Sequence, residues 1–557
     1  MGNGVLENVF FLLGGMAMML FGMHVMGNNL ERVAGNNLKK LLGKMTSNRF
    51  AGVGVGATMT IIMQSSAATT VMLVGFVNVG LMTLAQATSV IMGANIGTTV
   101  TAQFLSLVGV GFNAAAYACV IAAAGAVMGL FVKNDKINKI GYILLALGMI
   151  FLGLEVMSLS VNQIIYEDPA TKSELKPFFD KLFRGEHFPI ILILIGAGVT
   201  ALIQSSTAIT GILIVLGSSI SLPNAVFIIL GSNIGTCVTA MISSIGTSTN
   251  AKRTALIHLL FNVFGCLIVL APLWIWQKEF VSFMEAISGA SRERQIANFH
   301  TLFNVFTTIV LLPFIKSIVY LATKIIRPKR NEEENAMRFM FIDERLLDTP
   351  PIAVNNTKKE IVRMCGIAKE NINLSVAMLI DGKYENASEV RTNEEIINFL
   401  NRNITAYLTA LSGKDLTLQD EKKVGSYYHV VTDVERVGDY AENIMEYALR
   451  LKEEGVDFSD TAKEELKEVV ETVDNLFDAA VKVFDERDLT LLPKVDELEE
   501  MIDQFNVDLE TKHIERLKKE ECSAQVGSVY LQTVSNLERV GDHITNIAFS
   551  IKQYVHS

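Results

Sequence analysis

Two short polar stretches interrupt long apolar runs of this chain: MQSSAATTVM at residues 63–72 and IQSSTAITGI at residues 203–212. A second pair follows in the same order, GANIGTTVTA from Gly93 and GSNIGTCVTA from Gly231, with eight of ten positions identical. Because the two pairs have offsets of 140 and 138 residues, we infer an internal duplication that covers about residues 50–185 and 188–325.

The runs around these motifs are apolar enough to lie in a membrane. Residues 51–132 and 187–251 contain no Lys, Arg, Asp or Glu. The run before Gln64 is nevertheless only about 14 residues long, short of the ~20 that a spanning helix needs. Short apolar segments that break at corresponding places in two halves are typical of discontinuous helices at a transporter's binding site.

Charge divides the chain into two environments. Through Arg330 it carries 22 Lys and Arg against 12 Asp and Glu, and the remainder carries 26 against 46. We therefore predict a membrane domain at residues 1–330, a linker at 331–354 and a soluble domain at 355–557. The five cysteines are scattered and form no C-x-x-C pair, so neither a disulfide framework nor a zinc site is expected.

Flanking charges predict the orientation of the repeats. The segment before the first repeat, residues 31–49, holds five basic residues and one acid, so the positive-inside rule places it in the cytoplasm. The segment before the second, residues 166–187, holds four basic and five acidic residues, as expected of an external loop. The two halves would then enter the membrane from opposite faces and bring both polar stretches to its midplane.

The polar groups of these stretches suit a small anion and a small cation. Amides at the N-terminus of a broken helix attract anions, while hydroxyl, amide and carbonyl oxygens suit a hard cation. With no Lys or Arg in either uncharged stretch, a co-bound cation such as Na⁺ would balance a substrate anion. The alternative is that these Ser and Thr hydroxyls only satisfy backbone carbonyls or join helices.

Paired Gln-Ser-Ser motifs, each followed by G-x-N-I-G-T, resemble the sodium/phosphate cotransporters over about residues 5–325. The resemblance implies that the motifs lie on re-entrant helical hairpins, with phosphate and Na⁺ bound between them. The chain departs from the family's Q-S-S-S form at Ala67, where a third serine is usual. By matching position, the implied site residues are Gln64, Ser65, Ser66, Thr70, Asn95, Thr98, Gln204, Ser205, Ser206, Thr207, Thr210, Asn233 and Thr236.

Two further polar pairs lie in apolar runs, His258 with Asn262 and His300 with Asn304. Each pair is spaced i, i+4, so both members share a helix face. We interpret them as hydrogen-bonding groups between membrane helices.

The soluble part has apolar residues at helical spacing and a repeat of its own. DVERVGDYAENIM at 433–445 matches NLERVGDHITNIA at 536–548, and each follows two amphipathic helices, which predicts two three-helix bundles. The pattern resembles PhoU-like domains over roughly 355–555. The resemblance implies a divalent or ferric metal on the E-x-x-x-D motifs, Glu435 with Asp439 and Glu538 with Asp542, where exposed salt bridging is the alternative.

Taken together, the sequence predicts an all-α, multi-pass plasma-membrane protein with two inverted repeats and a cytoplasmic PhoU-like domain of two three-helix bundles. The resemblance implies Na⁺-coupled transport of inorganic phosphate, with the PhoU-like domain as regulator. The alternatives are a phosphate sensor without turnover and a cotransporter of another oxyanion or carboxylate. We expect no enzymatic activity, since no catalytic motif is recognised, and no nucleic-acid partner; a cytoplasmic regulatory partner or homo-oligomer remains open.

Overall fold

The computed structural model describes residues 3–43, 48–109, 114–163, 180–185, 187–327, 337–519 and 522–552. Over these residues the chain consists of helices and their connections and contains no strand, which confirms the all-α prediction. The chain divides into two compact units, Met1–Lys329 and Arg330–Ser557.

The described residues of the first unit form fourteen α-helices. They are α1 (Asn3–Gly43), α2 (Arg49–Met63), α3 (Ser66–Asn78), α4 (Leu84–Leu105), α5 (Ala114–Phe131), α6 (Asp135–Asn162), α7 (Pro189–Ile203), α8 (Ser206–Leu216), α9 (Leu222–Gly235), α10 (Cys237–Ser243), α11 (Thr249–Ile275), α12 (Gln277–Ser288), α13 (Arg292–Leu311) and α14 (Ile315–Ile325).

Five stretches of the described residues are long and apolar enough to cross a membrane. They are Leu6–Leu30, Lys136–Asn162, Leu222–Ser243, Thr249–Ile275 and Arg292–Ile325. The first unit is therefore a membrane domain. Most of the predicted external segment, 166–187, lies outside the described residues, so the orientation of the repeats stays a prediction.

Each of the two repeats contains the same kind of close helix crossing. A Cβ atom on Gly93 of α4 would lie 1.9 Å from the carbonyl oxygen of Val53 in α2. A Cβ atom on Gly231 of α9 would lie 1.9 Å from the carbonyl oxygen of Ile193 in α7. Only glycine lets two helix backbones approach so closely. The duplication is thus one of packing as well as of sequence.

The second unit contains six long helices in two groups of three. They are α15 (Pro350–Asp381), α16 (Ala387–Ser412), α17 (Leu418–Glu454), α18 (Asp460–Glu486), α19 (Leu492–Lys518) and α20 (Ala524–Phe549). Helices α15–α17 pack on one another, as do α18–α20, and α17 contacts α20. This arrangement confirms the two three-helix bundles.

The described end of the predicted linker packs against the second unit. Glu360 of α15 is fully buried and accepts hydrogen bonds from the backbone N–H groups of Met340 at 2.9 Å and Phe341 at 2.6 Å. Arg363 forms a salt bridge with the Glu360 carboxylate at 2.6 Å. Helix α15 itself begins at Pro350, within the residues assigned to the linker.

Candidate functional site

The first Gln-Ser-Ser stretch is the point at which α2 ends and α3 begins. Gln64 has a left-handed backbone conformation (φ 52°, ψ 21°), which terminates α2. Ser65 is extended, and its hydroxyl accepts a hydrogen bond from the N–H of Ala68 at 3.1 Å, so it is the N-cap of α3. Ser66 is the first residue of α3, where backbone N–H groups have no intrahelical acceptor.

The second stretch repeats this geometry. Gln204 has φ 58° and ψ 24°, and the hydroxyl of Ser205 accepts from the N–H of Ala208 at 3.2 Å. Among the described non-glycine residues, positive φ occurs only at Gln64, Gln204 and Arg487. Each break is therefore followed by the N-terminus of a new helix. The partial positive charge and free amides of such an N-terminus attract anions.

Gln64 and Gln204 have similar backbone conformations, but their side chains differ in their contacts. Oε1 of Gln64 accepts a hydrogen bond from the hydroxyl of Thr101 at 2.7 Å, and its Nε2 donates to the carbonyl oxygen of Ile61 at 2.6 Å. The Gln204 side chain is exposed. The amide is thus held by hydrogen bonds in the first repeat and is exposed in the second.

The hydroxyl protons of four predicted site residues bond to their own helices. Thr70 donates to Ser66 at 2.8 Å, Thr210 to Ser206 at 3.0 Å, Thr98 to Ala94 at 3.1 Å and Thr236 to Ser232 at 3.0 Å, in each case to the carbonyl oxygen. All four threonines are buried, and Thr207 is half-buried. A hydroxyl bonded in this way keeps lone pairs that can ligate a cation.

The matching G-x-N-I-G-T segments of the two repeats meet at one residue of α11. Asn95 Nδ2 of α4 donates to Oδ1 of Asn262 at 2.9 Å. Asn262 Nδ2 donates in turn to the Sγ atom of Cys237 at 3.3 Å, and Cys237 bonds back to the carbonyl oxygen of Asn233 at 3.5 Å. These contacts bring Asn95 of the first repeat near the α9–α10 junction of the second.

Several buried polar atoms of α9, α11 and α13 have no hydrogen-bond partner within the described residues. They are Nδ2 of Asn233, Oδ1 of Asn304, both ring nitrogens of His258 and Nδ1 of His300. An unpartnered buried polar group costs about 1–3 kcal/mol, so such atoms mark places that a ligand, ion or water completes. Of the four residues predicted to bond between helices, His258, Asn262, His300 and Asn304, Asn262 does so. Asn304 donates only to the His300 carbonyl oxygen of its own helix.

The first acidic motif of the soluble unit lies at the contact of α16 and α17. Glu435 and Asp439 are one turn apart on α17, and Arg436 lies 4.0 Å and 3.2 Å from their carboxylates. Glu394 of α16 is 5% exposed, and its Oε2 has no hydrogen-bond partner among the residues that the structure describes. Burial, followed by the charges of Asp439, Glu442 and Glu435, raises the pKa of Glu394 to about 7.

The second acidic motif is joined by two carboxylates from the neighbouring helix. Oxygen atoms of Glu499, Asp503 and Asp542 lie within 4.8 Å of one another, and Glu538 lies outside this group. Burial and then Asp542 and Asp503 raise the pKa of Glu538, while burial and then Asp503 raise that of Asp542. Crowded carboxylate oxygens of this kind fit a hard cation, which would relieve their mutual repulsion.

Sequence reasoning missed Glu499, Asp503 and Glu394. The signal was present, because Glu499 and Asp503 have the same i, i+4 spacing as the two predicted pairs, and Glu394 is spaced likewise from Asn398. Asn398 donates to Glu394 Oε1 at 2.9 Å. What the sequence could not show is that these turns of α16 and α19 face the E-x-x-x-D turns of α17 and α20.

Comparisons with known proteins match each of the two units to a different family model. The Na⁺/Pi-cotransporter family model matches residues 18–159 and 170–289, and the PhoU domain model matches residues 361–448 and 466–551.

Two relatives differ in how much of the chain they cover. The "Putative inorganic phosphate export protein YjbB" of Escherichia coli strain K12 is 25% identical over 549 residues, which is 97% of this chain and 96% of the relative. The "Uncharacterized protein YqeW" of Bacillus subtilis strain 168 is 30% identical over 267 residues, which is 47% of this chain and 82% of the relative. The crystal structure of PhoU from Pseudomonas aeruginosa has 24% identity, covers 36% of this chain and 97% of its own, and aligns with a TM-score of 0.34.

Proposed function

Because the chain belongs to the Na⁺/Pi-cotransporter family and carries a C-terminal PhoU domain, we propose that it carries inorganic phosphate across the plasma membrane together with Na⁺. The observation that carries the proposal is the pair of helix breaks at Gln64 and Gln204, with equal backbone geometry in the two repeats. In this proposal the repeats enter from opposite faces as re-entrant hairpins and hold one shared site.

Phosphate binds at the helix N-termini that follow the two breaks. Ser65 and Ser205 use their hydroxyls to cap the helices, so the amides of Ser66 and Ser206 and the residues after them are left for the substrate. Nδ2 of Asn233, a buried donor without a partner in the described structure, adds a further hydrogen bond. These donors carry no formal charge, so they bind the anion without fixing it irreversibly.

Na⁺ supplies the charge that the protein lacks at this place. Residues 51–132 and 187–251 contain no Lys or Arg, so a phosphate anion at the breaks would be unbalanced in a medium of low dielectric constant. The last carbonyl oxygens of α2 and α7 and the hydroxyl oxygens of Thr70 and Thr210 are hard ligands of the kind that coordinate Na⁺ in broken-helix transporters. Electrostatics therefore couples the two solutes.

Export through the same site is the second candidate, favoured by one specific observation. The full-length Escherichia coli relative carries the name of a phosphate export protein. Phosphate would then leave through the same helix breaks down its own concentration gradient. Na⁺ would be needed for phosphate to bind, but the Na⁺ gradient would not drive its movement. The two candidates differ in which gradient moves phosphate.

The PhoU domain acts as the regulator on the cytoplasmic side. Its acidic groups bind a divalent or ferric cation through Glu435 and Asp439 in one bundle, and through Glu538 and Asp542 with Glu499 and Asp503 in the other. The crowded group in the second bundle and the unpartnered Oε2 of Glu394 in the first support this assignment. Bound metal would hold together the helices that carry these residues.

Flux into proteoliposomes tests the proposal. Purified protein is reconstituted, and uptake of radiolabelled phosphate is followed with an inward gradient of Na⁺ or, as control, of K⁺. We expect uptake only with Na⁺, and competition by unlabelled phosphate rather than by small carboxylates. Phosphate binding without flux would instead identify a sensor, and flux that follows only the phosphate gradient would favour export.

Ser66→Ala and Ser206→Ala should each impair this uptake, because each removes a side-chain hydroxyl group that would donate to the phosphate beside the backbone amide of the same residue. A lost hydrogen bond to a charged ligand costs about 1.5–3 kcal/mol, so we expect phosphate to be needed at tenfold or higher concentration. Ser160→Ala is the matched control, since its hydroxyl donates only to the Val156 carbonyl oxygen of its own helix. Unchanged uptake at low phosphate in both site variants would remove the breaks as the binding site.

A further inference from the structure

One polar face of α13 keeps an accessible nitrogen inside the membrane domain. His300 is 1% exposed, and its Nδ1 is enclosed without a hydrogen-bond partner among the described residues. Its Nε2 forms no hydrogen bond there either, but it is not one of the enclosed atoms. The small part of His300 that stays accessible therefore includes this nitrogen. One turn further along α13, Oδ1 of Asn304 is a buried acceptor without a partner in the same part of the chain.

Contacts with α4 place this face beside the first helix break. Nε2 of Gln103 donates to the hydroxyl of Thr301 at 2.8 Å, and the hydroxyl of Thr308 donates to the carbonyl oxygen of Met92 at 3.4 Å. The two helices therefore run antiparallel. The histidine directly precedes Thr301, so it lies within one turn of the level of Thr101, whose hydroxyl bonds to the glutamine of the first break at 2.7 Å.

Contacts with α8 place the same face near the second helix break. A Cβ atom on Gly217, at the end of α8, would meet the carboxylate of Glu293, at the start of α13. Because the two helices also pack on each other, they run antiparallel. His300 lies seven residues after Glu293, so it is level with Thr210, which lies seven residues before Gly217. The histidine thus lies between one helix of each repeat and near both breaks.

A matching face on α11 is closed. The sequences HLLFNVF at 258–264 and HTLFNVF at 300–306 agree at six of seven positions. On α11, however, the asparagine of the motif, Asn262, is bonded to α4 and α10, and both ring nitrogens of His258 are enclosed. Of the two matching histidines, only the one on α13 keeps an accessible nitrogen. Packing of the motif alone therefore does not explain it.

Histidine supplies the bases of the helices around the breaks. These helices contain no Asp, Glu, Lys or Arg over residues 51–132, 188–251, 254–277 and 295–315. The histidines in these ranges are His258 and His300. The helix N-termini at the breaks offer N–H donors, which attract any small anion. Phosphate differs from sulfate in carrying a proton at neutral pH, so an acceptor is needed to distinguish the two. A neutral imidazole has one nitrogen that donates and one that accepts.

We propose that His300 makes the phosphate site at the two breaks selective for a protonated oxyanion. Nε2 accepts a hydrogen bond from the O–H group of bound phosphate, and Nδ1 carries the proton of the neutral ring. An anion without a proton, such as sulfate, would set an oxygen lone pair against Nε2. A site built to bond a substrate hydroxyl rejects the analogue that lacks it, because the buried partner is left unpaired. This inference rests on the proposed function and names what its site selects.

Competition among tetrahedral anions tests this selection on the full-length protein in detergent. Binding of radiolabelled phosphate is measured at neutral pH in Na⁺, with unlabelled arsenate, sulfate or fluorophosphate as competitor. Arsenate carries a proton as phosphate does, whereas sulfate has none and fluorophosphate has fluorine in place of the hydroxyl. We expect arsenate to displace phosphate at concentrations about tenfold or more below those of the other two. Equal displacement by all three anions would overturn the proposal without the need for a variant.

Two variants assign the selection to His300. His300→Leu removes the acceptor, so phosphate should bind about tenfold or more weakly, and its preference over sulfate should shrink by the same factor. His300→Gln offers a carbonyl oxygen instead and should restore part of that preference. His24→Leu, which replaces an exposed histidine of α1, is the matched control and should keep it. If His300→Leu keeps the full preference, His300 is not the selecting residue, although the phosphate site stands. If the unmodified protein binds no phosphate, the proposed function fails, and this inference fails with it.

Discussion

At the scale of single residues, the function proposed here depends on a glutamine in a conformation that favours glycine. Gln64 and Gln204 both have positive φ, which costs a non-glycine residue about 1–3 kcal/mol. A glycine would end α2 and α7 without that cost. The glutamine side chain is therefore retained at the expense of backbone strain, as expected of a functional position.

Gln64→Gly separates the roles of backbone and side chain. Glycine adopts φ 52° without strain, so the break between α2 and α3 should persist and thermal stability in detergent should stay equal or rise by about 1 kcal/mol. The hydrogen bond from Thr101 to the amide is lost, so we expect Na⁺-driven phosphate uptake to fall. Gln64→Val, which cannot adopt positive φ readily, should lose stability as well. Full uptake by the glycine variant would show that only the backbone turn matters.

At the scale of helices, each repeat is a broken helix held against a glycine-rich partner. The backbone of α4 crosses α2 at Gly93, and that of α9 crosses α7 at Gly231, each without room for a Cβ atom. The capping box at Thr83 and Gln86 fixes the start of α4. These contacts hold the ends of α2 and α7, and so position the breaks.

Gly93→Ala should be strongly destabilising, because the new Cβ atom would overlap the carbonyl oxygen of Val53 and force the two backbones apart. We expect a loss above about 3 kcal/mol, seen as a lower melting temperature or failure to purify in a monodisperse form. Gly54→Ala on α2 is the matched control, since a Cβ atom there meets nothing within 4 Å. It should be neutral or stabilising by up to about 1 kcal/mol. Equal stability of the two variants would contradict the close crossing.

The sequence predicts the helices better than their contacts. The duplicated motifs and apolar lengths are sufficient to predict two broken helices and two helical bundles. The bond of Asn95 to Asn262 joins residues 167 positions apart, and nothing in local periodicity indicates it. Likewise Glu499 and Asp503 have the spacing of a motif, but only the packing of α19 on α20 brings them to Asp542.

At the scale of the whole molecule, a membrane domain with more basic than acidic side chains, 22 against 12, is joined to a strongly acidic PhoU domain. Residues after Arg330 carry 26 basic and 46 acidic side chains. Burial, followed by repulsion from neighbouring carboxylates, raises the pKa values of Glu499, Glu538 and Asp542. Cations would offset this repulsion, which is why we assign metal binding and regulation to this part of the chain.

Removal of metal tests that assignment. Chelator should lower the melting temperature of the soluble unit within the full-length protein, and added divalent or ferric ion should restore it, because a ligand that binds only the folded state stabilises it. Asp542→Asn with Asp503→Asn should remove the part of the response that comes from the second bundle and lower the metal content. Glu464→Gln with Glu468→Gln, carboxylates outside both groups, is the matched control. Metal content unaffected by the Asp503 and Asp542 changes would leave these residues as a solvated acidic face.

The most direct test of the central claim is movement of Na⁺ driven by phosphate. Coupling is reciprocal: if a Na⁺ gradient moves phosphate through the two breaks, a phosphate gradient must move Na⁺ through the same site. Proteoliposomes with equal Na⁺ on both sides and phosphate on one side only should therefore show net radiolabelled Na⁺ flux in the direction of phosphate, and Ser66→Ala/Ser206→Ala should abolish it. Phosphate flux without any accompanying Na⁺ flux would contradict the account.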